Sequence, residues 1–171
     1  GNTDYDTTSM QITNVAPLIE QCEDMVCDEG DTLDFSCDFQ DPGTLDTHTI
    51  VWTFGDGSSG EGYDIQHIFG DDSVYSVVVT VTDDDIGVGK DSLIVTVNNV
   101  PPTADAGGPY SGTVDELILF TGEAYDPGLM DSLRYAWDLD GDNFYESQGR
   151  EVSGNFANLG NYIVRFRVED G

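Results

Sequence analysis

The fold class predicted by the sequence is all-β, in two tandem antiparallel sandwiches, and three observations predict it. First, displacing the chain by 85 residues lays residues 14–52 on 99–137 without a gap. Residues 14–17 (NVAP) fall on 99–102 (NVPP), Phe35 on Phe120, Asp41-Pro42-Gly43 on Asp126-Pro127-Gly128, Asp46 on Asp131 and Trp52 on Trp137. A fixed repeat of this length is one domain used twice. Second, Tyr75, Val77, Val79 and Val81 alternate with Ser76, Val78, Thr80 and Thr82, while Tyr162, Val164, Phe166 and Val168 alternate with Ile163, Arg165, Arg167 and Glu169. A period of two marks half-buried strands. Third, no window carries a helical period.

In chain order, residues 18–21 and 25–27 read as a split first strand and 32–39 as the second; strands follow at 49–54, 64–69, 74–82 and 92–98. Between them lie DEGD, DPGTLD, GDGSSGEG, FGDD and DDDIGVG, where Gly, Pro and Asp provide turn geometry. Several short strands at this spacing indicate a sandwich of immunoglobulin type. The second copy repeats the pattern, with Tyr162 matching Tyr75 at an offset of 87 because the first copy is two residues shorter in between.

The repeat is cut out of phase. Residues 91–99 (DSLIVTVNN) close the first domain, and 8–14 (TSMQITN) form a similar strand with nothing before it to close. The expected organisation is an orphan last strand in 1–14, a full domain in 15–99 and a domain lacking its last strand in 100–171. Joining residues 168–171 to residues 1–17 of another copy gives 21 residues, against 22 in the intact stretch 81–102. Ser9, Met10, Gln11, Ile12 and Thr13 are therefore expected to close the second domain of a neighbour. Met10 and Ile12 would take the inward positions that Leu93 and Val95 hold in the first domain. The link is either one continuous chain or strand addition between separate subunits. Both are head-to-tail and propagate into a fibre.

Charge sets the class of partner. The 171 residues carry 34 acidic against 5 basic side chains, a net charge of -29. Such a surface repels nucleic acid and anionic membrane, whose phosphates need clustered Lys and Arg. It favours divalent cations or a high-salt setting. No stretch approaches the roughly 18 apolar residues that would span a membrane.

Three stretches then bring a family with them. WTFGDG (52–57), HIF (67–69) and YSVVVTVTDDD (75–85) resemble the PKD domain, the polycystic-kidney-disease repeat, and ADAGGPY (104–110), YAWDLDGD (135–142) and YIVRFRVEDG (162–171) resemble it again. Thr53 stands after Trp52 where Asp138 follows Trp137, and His67 has no match in the second copy. The resemblance implies an extracellular sandwich module, serving as spacer or binding unit without catalysis of its own.

Among candidate ligands, Asp138, Asp140, Asp142 and Glu146 in DLDGDNFYE place carboxylates at positions one, three, five and nine of one loop. That pattern suits Ca2+, although Gly stands fourth rather than sixth, unlike an EF-hand. The acidic run 82–87 (TDDDIG), with Asp105 or Asp126, offers a cation bridge near the NNVPP linker. Trp52 and Trp137 share a strand face with Ile50, Phe54, Tyr135 and Leu139, and read as core rather than sugar platforms. His67 reads as a hydrogen-bonded strand residue. No nucleophile with a partnered base and orienting group is present, so the chain is expected not to be an enzyme. Of Cys22, Cys27 and Cys37, a hairpin about DEGD would place Cys22 opposite Cys37 for a disulfide, leaving Cys27 spare. The expectation is a structural or adhesive repeat of an extracellular filament, stalk or surface layer, bound to copies of itself. A glycan-binding accessory module of a secreted hydrolase is the alternative.

Overall fold

The computed structural model describes residues 1–170, and no helix occurs among them. By contact density the chain divides into two units. Unit 1 comprises Gly1–Met25, Leu33–His67 and Val74–Val95, and unit 2 comprises Val26–Thr32, Ile68–Ser73 and Thr96–Gly171.

The first repeat carries nine strands: β1 (Leu18–Ile19), β2 (Met25–Asp28), β3 (Thr32–Ser36), β4 (Phe39–Gln40), β5 (His48–Thr53), β6 (Ser59–Glu61), β7 (Asp64–Ile68), β8 (Ser73–Asp83) and β9 (Val88–Asn98). They pair antiparallel as β1-β4 and β3-β7, with a five-stranded sheet in the order β2-β9-β8-β5-β6. The second repeat carries β10 (Thr103–Asp105), β11 (Ile118–Thr121), β12 (Glu123–Tyr125), β13 (Arg134–Asp138), β14 (Ser147–Gln148), β15 (Glu151–Gly154) and β16 (Arg165–Glu169). These pair as β10-β12, β11-β15 and β14-β13-β16. Shifted by 85 to 87 residues, β10 to β16 fall on β1, β3, β4, β5, β6, β7 and β8 in turn. Only β2 and β9 lack counterparts among the described residues.

Packing follows the predicted alternation. Trp52, Val77, Val79, Val81 and Val95 are fully buried in unit 1, as is Trp137 in unit 2. Each indole donates from Nε1 to a glycine carbonyl 3.1 Å away, Trp52 to Gly62 and Trp137 to Gly149, so neither ring buries an unpaired N–H. Phe35 leans on Trp52 at 5.7 Å and Phe120 on Trp137 at 5.8 Å, the same contact built twice.

Three expectations need correction. GDGSSGEG is not all turn, because β6 forms within it and pairs with β5. The DEGD turn does not close a hairpin: β2 joins β9 and β3 joins β7, so the chain changes sheet at Gly30, whose φ of 79° only glycine adopts readily. The Cys22–Cys37 bridge is also absent, all three cysteines being free thiols. The β1-β4 ladder ends near the bond from Glu20 N–H to the Asp38 carbonyl (2.8 Å), and the Cys22 amide is held by Asp91 Oδ2 at 2.7 Å instead. Cys22 and Cys37 line one cavity of about 230 Å³ as separate thiols.

Candidate functional site

In the first repeat β8 lies between β9 and β5, whereas among the described residues β16 pairs with β13 alone. The consequences run through the surrounding residues. Val164, Phe166 and Val168 stay partly exposed, while their counterparts Val77, Val79 and Val81 are sealed. Residues 110–113, the counterpart of β2, form no strand, since β2 is held by β9. A cavity of about 490 Å³ opens there, walled by Tyr110, Ile118, Phe120, Phe156, Tyr162 and Val164. Its rings touch in sequence: Tyr110–Phe120 at 4.7 Å, Phe120–Phe156 at 6.4 Å and Phe156–Tyr162 at 4.2 Å. A free strand edge beside a trough walled by aromatic rings is a template for another strand. Ser9, Met10, Gln11, Ile12 and Thr13, the expected inter-subunit strand, belong to no sheet, and Met10 and Ile12 are 82% and 83% exposed.

The DLDGDNFYE loop brings Asp138, Asp140 and Glu146 together, with one oxygen of each within 4.8 Å of the others, and leaves Asp142 outside that group. Asp138 is fully buried, but both its oxygens are occupied. Oδ1 accepts from Gly141 N–H (2.6 Å), while Oδ2 accepts from Asn143 N–H (3.0 Å) and from Arg165 Nη1 (2.8 Å). Burial pushes this carboxyl up, yet the Arg165 guanidinium and the two amides outweigh it and hold it below the usual range. Arg165 lies directly opposite Asp138 in the β13–β16 ladder and already provides a cation there.

Two further acidic clusters recur at equivalent places in the repeats. In unit 1 the acidic run meets its own repeat rather than Asp105 or Asp126: Asp83 gathers with Asp41 and Asp46. Two of these carboxylates have donors: His48 Nε2 lies 2.9 Å from Asp41 Oδ2, Asn14 Nδ2 donates to Asp83 Oδ2 (2.8 Å), and Gly87 N–H donates to Asp83 Oδ1 (2.7 Å), while burial and then Asp41 push Asp46 up. In unit 2, Asp126 and Asp131 gather with Glu29. Burial pushes Glu29 up, and Asp131, Asp126 and Asp72 add to the rise against the opposing Val100 amide. Burial and then Asp126 raise Asp131 likewise. Sequence reasoning missed Glu29, which is one acid among three in the ordinary-looking DEGD turn.

Among the described residues, the nearest approach to a nucleophilic relay lacks its geometry. Ser58 Oγ, His67 and Asp56 come close, but hydroxyl and carboxylate both face the same ring nitrogen, Nε2, at 3.5 and 2.7 Å. A relay needs the two partners on opposite nitrogens. His67 instead stacks on Phe54 at 3.9 Å. Burial, then Asp91, pushes the Cys22 thiol up to about 11, and burial raises Cys27 and Cys37 too, so thiolate is scarce at neutral pH.

The model of the PKD domain family matches residues 14–97 and again 99–171. Among solved structures, the chain is similar to the three N-terminal domains of the bacteriophage RB49 highly immunogenic outer capsid protein, at 13% identity and a TM-score of 0.39, over 91% of this chain and 54% of that one. It is similar to Dpr2 Ig1-Ig2 in complex with DIP-Theta Ig1-Ig3, at 14% identity and 0.41, over 92% and 63%. It is also similar to carbohydrate-binding modules from the β-sandwich superfamily, at 14% identity and 0.43, over 92% and 85%. The chain thus spans little more than half the length of the first two.

Proposed function

The chain belongs to the PKD domain family in two tandem copies, and from that premise we propose that it is a non-catalytic repeat of an extracellular filament, stalk or surface layer, linked head-to-tail to copies of itself. PKD domains are typically extracellular and non-catalytic, and no helix among the described residues is long and apolar enough to cross a membrane. One observation carries the proposal: the β16 edge, unpaired among the described residues and beside the 490 Å³ trough, is matched by the exposed segment of residues 9–13, which belongs to no sheet. The closing strand runs through separate subunits or along one continuous chain.

The magnitudes suit a reversible joint. Burying Met10 and Ile12 is worth about 1.5–3 kcal/mol each. Each ladder hydrogen bond adds about 1 kcal/mol. Association itself costs about 4–15 kcal/mol, so separate subunits are expected to join in a concentration-dependent way. Sedimentation velocity from dilute to millimolar protein is expected to show growing head-to-tail species. Added salt should promote them by screening the net charge of -29. A monomer at every concentration and salt overturns strand addition between subunits.

The glycan-binding alternative draws on the same aromatic trough. Its rings are poor sugar platforms, because Phe120 is 1% exposed and the contacts are tilted or edge-on, at 64°, 80° and 39°. Selective hits on a glycan array would favour it.

A further inference from the structure

We propose that Glu29, Asp126 and Asp131 of unit 2 hold a Ca2+ ion. Glu29 sits in the turn after β2, and the two aspartates flank the loop after β12. One oxygen from each lies within 4.8 Å of the other two. Glu29 is 2% exposed, and its Oε1 accepts from Val100 N–H at 2.7 Å. Its Oε2 has no hydrogen-bond partner, and neither do Asp126 Oδ2 and Asp131 Oδ2, although all three are buried. Three buried carboxylate oxygens without a donor, facing one another, demand a compensating charge.

The first repeat shows what compensation looks like without a cation. There His48 serves Asp41 Oδ2, the counterpart of Asp126 Oδ2. The position of His48 is taken in the second repeat by Leu133, which offers no donor. Asn99 reproduces the role of Asn14, donating from Nδ2 to Asp170 Oδ2 at 3.2 Å, so the donor that the second repeat lacks is the one for Asp126.

The backbone is shaped for convergence. Asp126 Oδ1 caps Gly128 N–H at 2.8 Å, turning Oδ2 toward the cluster. A Cβ at Gly128 would lie 2.3 Å from Asp131 Oδ2 and 2.6 Å from Glu29 Oε2, so glycine is needed for the carboxylates to meet. Glu29 also groups with Asp71 and Asp72. An all-oxygen, flexible, multiply charged set suits Ca2+ over Zn2+, which prefers nitrogen and sulfur, and over Mg2+, which keeps its waters and demands octahedral geometry. The ion would fasten a turn of the first sequence repeat to a loop of the second, independently of strand addition at β16.

Calorimetry and thermal melting of the chelated protein with added Ca2+ test this. The expected result is one ion bound per chain and a raised Tm. Glu29→Gln and Gly128→Ala should each weaken binding by about tenfold or more, and Asp64→Asn should leave it unchanged. If Glu29→Gln fails to fold, Ca2+-dependent NMR shifts of the Val100, Gly128 and Met130 amides in the unaltered chain give the same decision. No heat and no Tm change would overturn the proposal. So would binding that survives Glu29→Gln but is lost in Asp140→Asn, or amide shifts confined to the DLDGDNFYE loop.

Discussion

Replacing Trp137 with alanine is expected to unfold unit 2 at temperatures where the parent protein is intact. The indole is fully buried, contacts Phe120 and Phe166 at 5.8 and 4.6 Å, and donates to the Gly149 carbonyl. Truncating a buried Trp costs about 3–5 kcal/mol, against roughly 5–15 kcal/mol for a whole domain. Circular-dichroism melting should show Tm falling by more than about 10 °C. A shift within about 3 °C would show that the ring is not the centre of the core.

The second large effect concerns assembly rather than stability. Met10→Asp with Ile12→Asp is expected to weaken head-to-tail association at least about 100-fold, since two apolar side chains worth about 1.5–3 kcal/mol each are lost and two charges must be desolvated against the aromatic rings of the trough. The same double variant should melt at the parent temperature under dilute conditions, because both positions are more than 80% exposed within the chain itself. Sedimentation equilibrium measures the first effect and calorimetry the second. Unchanged association would remove residues 9–13 from the joint.

How much of this was legible in the sequence depended on whether the cause was local. Tryptophan burial and the paired β8 and β16 strands followed from alternation and from the 85-residue shift, because side-chain period and strand geometry are the same fact. The fate of β2 did not follow. Nothing in MVCD distinguishes pairing with β3 from pairing with β9, a choice made by long-range sheet order. The cysteine pairing failed with it. The DLDGDNFYE loop was readable as a cluster, but its resident partner Arg165 comes from a strand 27 residues on. Glu29 could not be read at all, since its neighbours Asp126 and Asp131 lie about a hundred positions away and become neighbours only in the fold.

The central claim, that the β16 edge is completed by a strand of residues 9–13, is tested most directly by hydrogen exchange followed by mass spectrometry as a function of protein concentration. The account predicts that amides in residues 8–13 and in Arg165–Glu169 gain protection together as concentration rises, and that a peptide spanning residues 7–15, added in excess, displaces residues 8–13 by capping the β16 edge itself. In that competition residues 8–13 of the chain become fast again while Arg165–Glu169 stays slow. Fast exchange of residues 8–13 at every concentration, with Arg165–Glu169 indifferent to both concentration and peptide, would contradict it.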